Sequence, residues 1–123
     1  MKNDKEKFKK EFKDRVYKFT LMLVEFIDKL PRSSSARIIG SQLLRSGMSI
    51  GANYIEAQAA SSKKDFANFF HHSLKSANES EFWLRILKDS GKADKKEVDA
   101  LLEELAEIAN ILGSSLLTLK GRK

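Results

Sequence analysis

Apolar residues recur at steps of three and four along most of the chain, and the places where that period breaks divide it into four helices. In the first, from about Asp4 to Leu30, the residues Phe8, Phe12, Val16, Phe19, Leu23, Phe26, Ile27 and Leu30 mark one buried face. Leu30-Pro31 ends it, because proline restricts the residue before it and lacks the N–H needed to continue the ladder. Arg32 to Ser35 forms a short loop, where Ser34 or Ser35 is expected to cap a second helix running to about Ala60. Ser62, with Asp65 as the acid of a capping box, opens a third helix. Its apolar face holds Phe66, Phe69, Phe70, Leu74, Ala77, Leu84 and Leu87, and Ser90-Gly91 stops it. Asp94 caps the fourth, where Val98, Leu101, Leu105, Ile108, Leu112, Leu116 and Leu119 form a seam of coiled-coil-like period. Long helices joined by short loops predict an all-α fold, an antiparallel up-down-up-down four-helix bundle in one domain over residues 1–123.

The second helix departs from this simple pattern. Gln42, Arg45, Ser46, Ser49, Asn53 and Glu56 fall within an arc of roughly 100°, while nearly everything else is apolar or glycine. Such a helix is expected to be enclosed on most sides, so its polar stripe needs partners inside the protein. A structural network of Arg45, Ser49, Asn53 and Glu56 is the main reading, with Glu81 on the apolar face of the third helix paired to Arg45. A ligand site and an intersubunit contact are the alternatives. Gly40, Gly47 and Gly51 form a line on the opposite side, which points to close approach of a neighbouring helix. Tyr54 lies beside that line, and Phe82 and Trp83 fall outside the core arc of the third helix. Gly47, Gly51, Tyr54, Phe82 and Trp83 are therefore the expected oligomer interface, the alternative being a shoulder of the bundle with one edge exposed.

Charge adds a possible partner. The net charge of +6 is concentrated at both ends of the 123-residue chain. A sequence pI of about 9.6 fits a polyanion such as nucleic acid, or an acidic protein or membrane surface. Lys2, Lys5, Lys9 and Lys13 line up within about 80° on the first helix. Lys5, Lys9, Lys13, Arg122 and Lys123 are the candidate phosphate contacts, although a solvated helix end explains the line equally well. The chain has no cysteine, no signal-like apolar run and no uncharged apolar stretch long enough to span a bilayer. A cytoplasmic protein without a membrane partner is expected.

Catalytic and cofactor chemistry find little to work with. His71 and His72 are adjacent, so they point about 100° apart on a helix, and no ExxH or HExxH pattern accompanies them. No glycine-rich phosphate loop is present. His72, Ser76 and Glu79 line up on the third helix, but a polar helix flank produces the same set. No enzyme, metal or cofactor is expected.

Arg45-Ser46, Ser49-Ile50, Ala52-Asn53 and Glu56, followed by Ser61, Lys63, Asp65-Phe66, Ser76, Glu79, Glu81 and Leu84, carry a resemblance to a known family. Together with Pro31 and Gln42-Leu43, they resemble the bacterial four-helix-bundle proteins of the 23S ribosomal RNA intervening-sequence group over about Phe12 to Leu117. Ala57 departs from the pattern, where many members have glycine, and so does Gln58-Ala59-Ala60. The resemblance implies an up-down bundle assembled as a homopentameric ring. It also implies kinship with the accessory variability determinants of diversity-generating retroelements, which present basic surface to nucleic acid and bind a reverse transcriptase. RNA becomes the expected ligand ahead of DNA, with a protein-interaction scaffold as the alternative.

Overall fold

The computed structural model describes residues 2–121, with Lys2 described by its backbone alone. Four helices follow one another, α1 (Lys2–Asp28), α2 (Ser34–Gln58), α3 (Lys63–Asp89) and α4 (Lys95–Gly121). Each packs against its sequence neighbours, and α1 closes the ring against α4, so the fold is the antiparallel four-helix bundle that the apolar period predicts. Phe19, Leu23, Leu43, Ile50, Leu84, Leu87, Ile108 and Leu112 are fully buried at its centre. At about 2 kcal/mol for each large side chain removed from water, this seam dominates the stability.

The helix ends are set locally. Ser33 caps α2, not Ser34 or Ser35: its backbone is extended (φ −73°, ψ 156°) and its hydroxyl accepts from the Ala36 amide at 3.3 Å. The two later serines already lie in the first helical turn. Ser62 and Asp94 cap α3 and α4 as expected, accepting from Asp65 N at 3.1 Å and Glu97 N at 3.0 Å. α3 ends in a Schellman motif, with Gly91 N donating to Lys88 O and Lys92 N to Leu87 O. Gly91 takes φ 73°, a value that glycine adopts without a Cβ penalty.

The glycine line of α2 does admit a neighbour, and that neighbour is α1 of the same chain. A methyl group on Gly40 would sit 3.0 Å from Leu30 Cδ1, one on Gly51 would sit 3.2 Å from Val16 Cγ1, and one on Gly47 would overlap Leu23 Cδ2. Gly47 is buried, so it serves packing within the chain and not the expected oligomer surface. Tyr54 is likewise core, 3% exposed and set edge-on to Phe12 at a centroid separation of 4.8 Å. Both corrections have one cause: the glycines draw α1 close enough to cover what a helical wheel leaves open. Phe8 shows the opposite error, being 52% exposed at a position in phase with the core.

Candidate functional site

Two polar arrangements organise the bundle, and they differ in what they leave open. The first lies between α2 and α3. Ser46 Oγ and Ser80 Oγ are 2.8 Å apart at zero exposure, Ser73 donates to Ile50 O at 2.8 Å, and Ser76 donates to Ser49 Oγ at 3.0 Å. Asn53 Nδ2 donates to both the carbonyl and the hydroxyl of Ser49 at 2.9 Å. Small hydroxyl side chains at steps of three and four on both helices let the backbones approach and satisfy each polar group they bury. Ser49 and Asn53 thus belong to a partly buried hydrogen-bonded ladder between the two helices. Its serines on α3, Ser73, Ser76 and Ser80, were legible from the same spacing that marked Ser46, Ser49 and Asn53.

Arg45 and Glu81 are not partners. Arg45 Nη2 bonds Glu79, and its Nε and Nη2 also donate to Gln42 Oε1 at 3.1 and 2.9 Å. Glu79 accepts from Trp83 Nε1 at 2.9 Å as well. That indole hydrogen bond is the largest cause of a Glu79 carboxyl pKa below the usual glutamate range; partial burial opposes it and Arg45 adds to it. Glu81 turns to the α4 flank of α3 and pairs with Arg85 on its own helix at 2.9 Å. Glu56 is exposed, as are Ile38, Met48 and Ile55, so α2 is not enclosed within one chain. The Gln42, Arg45, Glu79 and Trp83 group sits at the edge of the α2–α3 contact, with Phe82 beside it at 57% exposure, edge-on to Trp83.

The second arrangement is the end of the bundle where the N-terminus of α1 meets the α2–α3 loop and the C-terminus of α4. Up-down topology brings these segments together, and with them Lys5, Lys9 and Lys13 of α1, Lys64 of α3 and Lys120 of α4, all exposed. Arg122 and Lys123 lie outside the described residues. Asp4, Glu6 and Glu11 of α1, Glu56 of α2 and Asp65 of α3 offset part of this charge at the same end, while Glu104 of α4 holds Arg15 at 2.5 and 3.1 Å near the middle of the bundle, with Glu103 and Glu107 around it. The hydrogen bond to Glu104 raises the Arg15 pKa further, so this pair is already satisfied and takes no part in an anion site. At the opposite end, Lys29 is tied to Glu97 at 2.7 Å and Lys88 to Asp99 at 2.6 Å. Among the described residues, lysines still outnumber carboxylates at the end where α1 begins.

A hollow of about 470 Å³ opens at that end. Asp4, Lys5 and Lys9 border it, together with the rings of Phe8, Phe12, Tyr54, Phe66 and Phe70. Phe8 lies parallel to Phe12 (6.4 Å, 4°), Phe12 meets Tyr54, Tyr54 meets Phe70 at 5.7 Å, and Phe70 stacks on Phe66 at 4.6 Å. Tyr54 Oη donates to Lys9 O at 3.5 Å, and burial raises its pKa, so the phenol stays neutral. Sequence reasoning missed the hollow because Phe8 and Tyr54 were assigned separately, one to the core and one to an interface.

Among the described residues no group of three His, Cys, Asp or Glu side chains is placed to hold a metal, and no helix is long and apolar enough to cross a membrane. Ser76, the middle member of the nominal His72, Ser76 and Glu79 set, spends its proton on Ser49.

The family described as 23S rRNA-intervening sequence protein matches residues 9–114. A crystal structure of a protein with unknown function from the S23 ribosomal protein family of Bacteroides thetaiotaomicron VPI-5482 is 33% identical. The match covers 85% of this chain and 97% of that one, with a TM-score of 0.80. None of the curated proteins matches the chain.

Proposed function

From a chain that belongs to the 23S rRNA-intervening sequence protein family, we propose a non-enzymatic, oligomeric nucleic-acid-binding bundle that holds phosphates at its lysine-rich end and prefers RNA. The observation that carries this reading is the convergence of Lys5, Lys9 and Lys13 with Lys64 and Lys120 at one end, where lysines outnumber carboxylates among the described residues. Exposed lysines on rigid helices contact phosphate without reading bases, so binding is electrostatic and sequence-tolerant. Arg122 and Lys123 extend the same charge along the chain.

Assembly is the second part of the proposal. Tyr17, Met48 and Ile55 border an apolar groove of about 740 Å³ between α1 and α2, and Tyr17 and Ile55 are more than half exposed. That surface, together with Phe82, supports a ring of several copies, with a pentamer as the expected state. The same groove favours one competing reading, a scaffold that docks a partner enzyme such as a reverse transcriptase.

The test is fluorescence anisotropy with a labelled RNA. Replacing Lys5, Lys9 and Lys13 together by Gln weakens binding at least about tenfold, whereas replacing Lys92, Lys95 and Lys96 at the opposite end leaves it near wild type. Equal effects of the two triples defeat the assignment of the site. Capture of a lysate protein that survives nuclease treatment, with no RNA binding by the pure protein, favours the scaffold.

A further inference from the structure

Lysines explain how phosphate is held; they do not explain why aromatic rings lie beside them. We infer that the hollow beside Phe8 receives an unpaired nucleobase stacked on the Phe8 ring, so that Phe8 contributes to binding a single strand and not a duplex. This rests on the phosphate-binding reading above and adds the chemical class of what is bound. Phe8 is in phase with the core face of α1, yet 52% of it is exposed, at the most basic end of the molecule. Its ring lies parallel to Phe12 at an interplanar angle of 4° and a centroid separation of 6.4 Å, and Phe12 packs in turn against Tyr54, so the ring is backed on one side by the core and open on the other. A ring backed on one side loses less freedom than a free side chain when a flat heterocycle lands on it.

The ring borders two adjoining spaces that share Ile111, Ser115 and Thr118. One is the hollow bordered by the other rings, and the other is a space of about 340 Å³ against α4, bordered by Asn110, Ser114, Ser115 and Thr118. Ser115 and Thr118 donate their hydroxyl protons to Ile111 O and Ser114 O, which leaves their oxygen lone pairs as acceptors. Gln58 on the first side and Asn110 on the second supply amides that both donate and accept. Stacking surface, edge-reading groups and Lys5 and Lys9 for the flanking phosphates are what a single-stranded site requires. Bases inside a duplex are stacked on one another and reach such a ring only after unpairing. Phe8 and Lys5 lie just outside the span matched by the family, so the hollow is built partly from residues beyond it.

Three labelled probes of about 12 nucleotides, an oligouridine, an abasic strand and a duplex, are titrated at one salt concentration against the wild type and Phe8→Leu, Phe8→Ala and Phe8→Tyr. The wild type is expected to hold oligouridine at least about fivefold more tightly than the abasic strand, the low end of one base–aromatic stack. Phe8→Leu and Phe8→Ala reduce oligouridine to the abasic level, Phe8→Tyr preserves it, and the duplex affinity does not move. Far-UV circular dichroism confirms that each variant is folded. Oligouridine binding that is intact in Phe8→Leu, or equal for oligouridine and the abasic strand, overturns this inference and leaves the phosphate site standing. Failure of the wild type to bind any of the three probes overturns both.

Discussion

Adding one methyl group at Gly47 separates a spacer for α1 from a glycine that is merely tolerated. A helix-interior Gly→Ala change alone stabilises by about 1 kcal/mol. At Gly47 the new Cβ would overlap Leu23 Cδ2, and Leu23 has zero exposure, so α1 must shift or the leucine must leave its rotamer. Overpacking of that kind costs about 1–3 kcal/mol, which leaves Gly47→Ala destabilised by about 1 kcal/mol net. Gly113 in α4 is the internal control, because a methyl there meets nothing within 4 Å, and Gly113→Ala is expected to gain about 1 kcal/mol. The two variants should therefore move the urea midpoint in opposite directions at unchanged slope, measured at one protein concentration. Leu23→Ala alone costs about 2–5 kcal/mol; in the Gly47→Ala background the methyl fills part of the space, so the pair should couple by about 1 kcal/mol. A Gly47→Ala protein stabilised as much as Gly113→Ala would refute the close-approach argument.

Four further outcomes are expected. A double-mutant cycle should show coupling between Arg45 and Glu79 and none between Arg45 and Glu81; both members of the real pair are partly exposed, so the term is below about 1 kcal/mol. Glu79 releases its proton more readily folded than unfolded, so the stability it contributes is fully present above the ordinary glutamate pKa and lost as pH falls through its depressed value. Trp83→Phe removes the indole donor and should raise the Glu79 midpoint in an NMR titration, a result that an unchanged midpoint would contradict. Light scattering should give about five times the 14.0 kDa chain mass, and Ile55→Asp on the exposed face of α2 should lower it; a wild-type monomer defeats the ring.

Much of the fold was legible because it depends on period. Steps of three and four located all four helices, and Pro31, Ser62, Ser90-Gly91 and Asp94 marked the breaks with turn and cap chemistry that is local. What the period does not encode is which neighbour takes which flank. Glu79 and Glu81 are two residues apart and therefore on opposite flanks of α3, one toward α2 and one toward α4; an arc on a wheel does not name the helix it faces. The glycine line was readable as close approach, yet its partner was visible only once α1 lay against it. Tyr54 moved from surface to core for the same reason. The run Arg32 to Ser35 offered three serines, and the backbone dihedrals with the Ala36 N–H to Ser33 Oγ hydrogen bond select Ser33 as the cap. The lysine line was legible from α1, whereas its meeting with Lys64, Lys120 and the aromatic hollow required the topology.

The claim that phosphate is held at one end of the bundle is tested most directly by the salt dependence of RNA binding. For a single strand, log K falls with log salt at about −0.7 per phosphate neutralised. If Lys5, Lys9 and Lys13 each displace one counterion, the Lys→Gln triple should have a slope shallower by about 2 than the wild type between about 50 and 200 mM salt. An affinity indifferent to salt, or identical slopes for the two proteins, would contradict the account.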